Sequence, residues 1–185
     1  QMNFQGVPNY TVDFKKEKLI KWNNIHVEVN QLTYLRGIWT LENGELMGSY
    51  SGEAPAECYM GDINWKDYNL EVCVVPKLGE DHRVLFRVQG AIRSYAVGLT
   101  SDNKLTLFKN NNGYSALTSI DFNWIHDKPY LINIDAKSNN IEVSVDGVKQ
   151  LTYKDDESPY LSGQIGFGNA NGSNTRFKSF SIKGK

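Results

Sequence analysis

A chain of 185 residues, 40% hydrophobic and 22% charged, is long enough to bury a sizeable core and reads as one domain spanning 1–185. Its net charge of −1, with 20 basic residues scattered along the chain, provides no basic stripe for phosphate backbones and excludes nucleic acid as the expected partner. No apolar run approaches the roughly 18 residues of a membrane helix, so no membrane partner is expected either.

The start, QMNFQGVPNY, is polar and turn-like rather than a signal peptide, and Met2 is either a native initiator or part of added sequence. Residues 1–38 read as an N-terminal segment packing on the main body. Within it, FKKEKLIKW (14–22) is the nearest approach to a helical stripe and predicts one short turn or helix. From Trp39 the dominant period is two. Trp39 to Glu42 runs into Asn43-Gly44, and Glu45 to Met47 returns. Tyr68 to Val75 predicts a strand stopped by Pro76. VLFRVQGAIRSYAVGL (84–99) predicts a hairpin turning at Gly90 to Arg93. Lys104 to Phe108 and Asn110 to Gly113 repeat the strand-and-turn pattern. Ile141 to Val145 alternates cleanly, and Asp146-Gly147 is the pair that tolerates positive φ before Val148 and Leu151 return. About a dozen short strands without a helical stripe predict an all-β sandwich or barrel, and the length favours a two-sheet antiparallel jelly roll.

The inventory of reactive groups is sparse. His26, His82 and His126 have no partner at a ligand spacing, so zinc is not expected. Asp155-Asp156-Glu157 offers oxygens for a structural calcium, against the plainer reading of a solvated turn; no other cofactor is expected. Cys58 and Cys73 lie in apparent neighbouring strands, close enough in prospect to consider a disulfide. No nucleophile elbow is present, and the carboxylates Glu42, Glu45, Glu53, Glu57, Glu71 and Glu142 cannot be paired by spacing.

The predicted hairpin is more informative. Its simplest register sets Arg87 opposite Ala96 and Leu85 opposite Gly98 on one face. Val88 then meets Tyr95, and Phe86 meets Val97, on the core face. An arginine that cannot shed its charge needs acceptors or water, and small neighbours leave room above it for a polar ligand or an acidic side chain.

Three stretches resemble a known family. WTLENGELMGSYS (39–51), Leu85-Phe86-Arg87 with Ser94 to Val97, and DESPYLSGQIGF (156–167) with Phe177 and Phe180 are similar to concanavalin A-like jelly rolls of the laminin-G type. Within these they look most like the family 66 carbohydrate-binding modules attached to levanases. The first motif equally resembles the 3-keto-glycoside hydrolase family (domain of unknown function 1080), which Asp13-Phe14 and Trp22 also suit. One departure is that Gly168-Asn169-Ala170-Asn171-Gly172 stands where fructan binders tend to carry a tryptophan.

The first resemblance implies a non-catalytic domain holding the terminal sugar of an oligo- or polysaccharide, accessory to a glycoside hydrolase. The implied sugar contacts are Arg87, Tyr95, Glu53, Asp156, Tyr160 and Asn169. Arg87 would donate to vicinal hydroxyls, Glu53 or Asp156 would accept from them, and Tyr95 or Tyr160 would stack on the ring. Two alternatives stand beside it: a hydrolase or lyase of the 3-keto-glycoside type, and a laminin-G-like protein-interaction or spacer domain. The expected setting is extracellular or cell-surface, or cytoplasmic if Met2 begins the chain, as a monomer or part of a larger multidomain chain.

Overall fold

Alternation and turn chemistry produce two stacked antiparallel sheets. The fold is described by a computed structural model covering residues 8–16, 32–185 and the backbones of the strands at 19–22 and 26–29, and all counts refer to these described residues. Seventeen strands follow in chain order: β1 (Asn9–Asp13), β2 (Leu19–Trp22), β3 (His26–Val29), β4 (Thr33–Tyr34), β5 (Ile38–Glu42), β6 (Glu45–Ser49), β7 (Ala56–Met60), β8 (Tyr68–Leu78), β9 (Asp81–Gly90), β10 (Arg93–Thr100), β11 (Lys104–Asn111), β12 (Tyr114–Asp121), β13 (Tyr130–Lys137), β14 (Asn140–Val145), β15 (Val148–Lys154), β16 (Gln164–Asn169) and β17 (Asn174–Gly184). One sheet is ordered β12-β11-β10-β9-β16-β7-β4. The other runs β15-β14-β13-β8-β17-β6-β5, with β1 also on β17, and β2-β3 forms a separate hairpin. The fold expected from the sequence is therefore present.

Phe14–Lys16 is a 3-10 turn, but Leu19–Trp22 is strand, so the stretch 14–22 is not one helix. The side chains of Trp22 and His26, and the residues Gln1 and Met2, lie outside the described residues. Asn43-Gly44 and Asp146-Gly147 both have two consecutive positive φ angles (53° and 76°, 51° and 81°), the geometry that matches hairpin twist. Pro76 does not stop β8, which continues to Leu78 with a register shift in its partner β17.

The inner faces form the core. Val84, Phe86, Val97, Leu99, Leu105, Leu107 and Phe167 of one sheet meet Leu70, Val72, Ile132, Ile134, Val143 and Phe177 of the other. Phe177 and Phe180 are three apart and would face opposite ways on a regular strand. A register shift between Phe177 and Ser179 turns both inward, where each packs on Phe167 at 5.0 and 5.6 Å between ring centres. Cys58 points into this core from β7, while Cys73 sits half-buried on β8 of the opposite sheet. Both are free thiols, so the disulfide considered from the sequence does not form.

One end of the sandwich is sealed by a buried polar chain. Asn169 donates to the Gly48 carbonyl (2.9 Å) and to Thr175 Oγ1 (3.2 Å). His82 Nε2 donates to the Gly79 carbonyl (2.8 Å), which leaves Nδ1 to accept from Thr175 Oγ1 at 2.6 Å in the neutral ring. This network fixes the β8–β9 turn and with it the start of β9.

Burial holds the His82 pKa down to about 4, so the unfolded chain takes up a proton near pH 6.5 that the folded form refuses. The His82 contribution to stability is present above about pH 6.5 and is lost as pH falls towards about 4. Urea unfolding should lose roughly 3 kcal/mol from this source between pH 7 and pH 4. That fraction of the pH dependence should be missing from His82→Gln.

Candidate functional site

The hairpin of β9 and β10 carries an irregularity that alternation does not reveal. Gly90 pairs with Arg93, but the next pair is Phe86 with Tyr95, so residues 87–89 of β9 bulge against Ser94 alone. A second shift against β16 falls at the same place, and Arg87 has φ +50°. The bulge resets which way the side chains point. Val88, expected in the core, joins Leu85, Ala96 and Tyr59 in a small cluster on the outer face. Leu85 opposes Ala96, not Gly98, and Arg87 opposes neither small residue.

Arg87 instead turns into the end of the sandwich, where it is 1% exposed. Its Nη1 donates to the carbonyls of Tyr160 (2.7 Å) and Ser138 (2.9 Å), and its Nη2 reaches Asp67 at 3.2 Å. Its backbone N–H donates to the Tyr68 hydroxyl at 2.6 Å. Tyr95 and Tyr160 lie beside it, both buried, with ring centres 5.2 Å apart. The Tyr95 hydroxyl donates to Asp155 Oδ2 (2.5 Å) and accepts from the Tyr160 N–H (3.1 Å). Lys109 Nζ bonds the same Asp155 oxygen at 2.6 Å, so a protein cation already occupies that carboxylate. Among the described residues no group of three His, Cys, Asp or Glu side chains is arranged to hold a metal.

The six residues drawn from the sequence therefore separate. Arg87, Tyr95, Tyr160 and the exposed Asp156 gather at one end of β9. Asn169 and the exposed Glu53 lie at the other, where Asn169 pairs with His82 and the Glu53 carbonyl accepts from Asn171. Arg87, Tyr95, Tyr160 and Asn169 are closed within the protein, which corrects the expectation that Arg87 stands open above small neighbours.

The arginine that does stand over small neighbours is Arg83. It faces outward from β9, opposite Gly98 on β10 and Gly168 on β16. A Cβ added at Gly98 would come within 3.3 Å of the Arg83 Cγ, so the floor must be bare for this side chain to lie flat. Phe108 and Tyr114 cover the guanidinium, with ring centres 4.3 and 4.5 Å from its carbon. Asp81 takes Nε and Nη2 in a fork at 2.7 and 2.8 Å. Nη1 is buried and finds no acceptor within the protein.

Beside Arg83, Glu57 accepts from the Tyr59 hydroxyl at 2.6 Å and from the Tyr114 hydroxyl. Burial pushes the Glu57 carboxyl above its usual range, and the two tyrosine hydrogen bonds and Arg83 pull against it. Tyr114 is on β12 and Glu57 on β7, with β11, β10, β9 and β16 between them. Five strand spacings in a flat sheet would be about 24 Å, far beyond the reach of two side chains. The sheet is therefore strongly concave on its outer face, and the Tyr114–Glu57 bond spans the hollow.

On one side of that bridge lies a depression of about 710 Å³, lined by Glu80, Asp81, Arg83, Lys104, Thr106 and Phe108 among others. On the other, Glu57 and Tyr114 line one of about 380 Å³ with Leu35, Arg36 and Ile92. Sequence reading missed Arg83 and Tyr114 and counted Glu57 only among unpaired carboxylates. The Asp81-x-Arg83-x-Leu85 alternation was the available signal, but the bulge four residues later concealed which arginine faces out.

No known family matches the chain by its sequence profile, and no curated protein matches it by sequence. Solved structures match it in fold. The carbohydrate-binding module CBM66 from Bacillus subtilis superposes with a TM-score of 0.75 at 18% identity, over 83% of this chain and 95% of that one. A β-1,3-1,4-glucanase (lichenase) from a mouse hindgut metagenome gives 0.67 at 14% identity over 96% and 99%. A B. subtilis protein of unknown function with a galectin-like fold gives 0.66 at 14% over 83% and 89%. The fold is accordingly a concanavalin A-like jelly roll.

The placement of Arg87 makes it a stability residue. Replacing Arg87 with Ala leaves the buried Tyr160 carbonyl without its donor and should cost about 3 kcal/mol, lowering the melting temperature by roughly 10 °C. Glu53→Ala, on an exposed loop, should move stability by less than about 0.5 kcal/mol.

Proposed function

We propose that this domain binds carbohydrate, and that the sugar sits on the concave face of the seven-stranded sheet over Arg83. The observation that carries this reading is Arg83, a guanidinium that lines the hollow and whose buried Nη1 has no acceptor within the protein. A buried unpaired donor is costly, and a hydroxyl or ring oxygen seated there would satisfy it. The rest of the surface suits a sugar. Glu80 and Asp102 line the same hollow as acceptors for hydroxyl protons, and Phe108 and Tyr114 offer rings to the apolar side of a pyranose or furanose. Asn171 lines the hollow, donates to Asp81 at 3.3 Å, and its backbone N–H bonds the Glu53 carbonyl. The likeness in fold to a carbohydrate-binding module supports the same reading.

Binding is favoured over hydrolysis by the state of the two buried carboxylates on this face. A hydrolase of the usual kind needs one carboxylate as an acid and a second free to act as base or nucleophile across the bond. Glu57 has an acid's environment. Asp81, the other buried carboxylate on this face, has both oxygens committed to Arg83. The reading is of a terminal sugar, with the Tyr114 ring lying over the Arg83 guanidinium beside the 710 Å³ hollow.

On a glycan array, Arg83→Met should abolish retention that the unaltered chain displays. Tyr114→Phe, which removes only the bridging hydroxyl, should weaken it about tenfold with an unchanged circular dichroism spectrum. Retention by a folded Arg83→Met protein at full strength would overturn the site.

A further inference from the structure

The hollow over Arg83 does not stop at the sheet. Its lining includes Glu80 from the β8–β9 turn and Asp102 from the β10–β11 turn. The same two residues line a second depression of about 400 Å³, shared with Asn103, Trp124, Ile125 and His126. Each volume falls within the roughly 300–1,000 Å³ of small-ligand sites. The two depressions share Glu80 and Asp102 and so lie side by side.

The second depression is built rather than incidental. Trp124 Nε1 donates to the Thr100 carbonyl at 2.9 Å, and the Trp124 N–H donates to Asn103 Oδ1 at 3.2 Å. His126 Nε2 donates to the Gly79 carbonyl at 2.8 Å, the carbonyl that also accepts from His82. The loop from β12 to β13 is thereby pinned to the β8–β9 turn, and the His126 ring stands edge-on to Trp124 at 5.3 Å between centres. With Nε2 donating inward to Gly79, Nδ1 is the His126 ring nitrogen left for a ligand. Next to it Ile125 is 65% exposed, so an apolar surface lies beside polar acceptors, as a sugar ring requires.

Charge narrows the class of ligand. The larger hollow carries Glu80, Asp81 and Asp102 against Arg83 and Lys104, and Arg83 is already matched by Asp81. An acid-bearing sugar would meet two further carboxylates, Glu80 and Asp102, and is disfavoured.

We infer that the ligand is a neutral oligosaccharide that enters end-first: its terminal unit lies over Arg83, and the next units pass Glu80 and Asp102 to rest on Ile125 and His126. This rests on the carbohydrate reading above and adds the length, direction and charge of the ligand.

Isothermal titration with linear ladders of one to six units, prepared from levan, xylan and mixed-linkage β-glucan, tests it, with an oligogalacturonate ladder as the acidic counterpart. On one neutral ladder the affinity should rise at least tenfold from monosaccharide to trisaccharide and then level off. In His126→Ala that ratio should fall below threefold. A flat neutral ladder, an unchanged ratio in His126→Ala, or tighter binding of the oligogalacturonates would overturn the inference while leaving carbohydrate binding intact. Absence of heat with every ladder would overturn both.

Discussion

The bulge at Arg87 is the constraint on which the rest of the structure depends. It places a cation that cannot be neutralised inside the end of a sandwich, where only hydrogen bonds to carbonyls and a neighbouring carboxylate make it tolerable. Those bonds join four stretches distant in sequence: the start of β8, the β13–β14 turn, the loop before β16 and β9 itself. The same irregularity decides the facing of every residue beyond it. Upstream of the bulge, Asp81, Arg83 and Leu85 point outward in regular alternation. Downstream, Val88 does so too, and the outer cluster under Tyr59 closes.

The concave face follows from a second set of opposed charges. Arg83 is buried between two rings and would be costly alone, as would Glu57. Asp81 offsets the first, and two tyrosine hydroxyls satisfy the second. Because Tyr114 belongs to the edge strand β12, its bond to Glu57 also holds the sheet in its curve. Local electrostatics and the global shape of the sheet are thus one arrangement. The buried chain from Asn169 through Thr175 to His82 plays the corresponding part at the start of β9, keeping Asp81 in register with Arg83.

Much of the architecture was legible in the sequence because it depends on local rules. Period-two alternation gave the strands, and Asn43-Gly44 and Asp146-Gly147 gave hairpins whose φ angles are those the dipeptides favour. The candidate site was legible only in kind. The sequence reading set Arg87 over Ala96 and Gly98, whereas Arg83 is the arginine that stands over glycines, Gly98 and Gly168. The bulge occurs at a non-glycine residue with positive φ, for which no local composition announces a turn. Glu57 and Tyr114 are brought together by curvature across four intervening strands, a property of the whole sheet that no window of sequence contains. Cys58 and Cys73, read as lying on neighbouring strands, stand on opposite sheets, since strands that look adjacent in a jelly-roll sequence can belong to different sheets.

The floor of the hollow has a further consequence. Gly98 and Gly168 present backbone rather than side chains, and backbone cannot be altered by substitution without crowding Arg83 or Leu85. Chemical variety at this surface must therefore come from its walls: Leu35 on the segment after β4, Phe108 on β11, Tyr114 on β12, and the turns at Glu80 and Asp102. These positions lie outside the main core between the sheets. A lineage of such domains could exchange one ligand for another at those few places while its interior stayed unchanged, so that recognition and stability evolve almost independently.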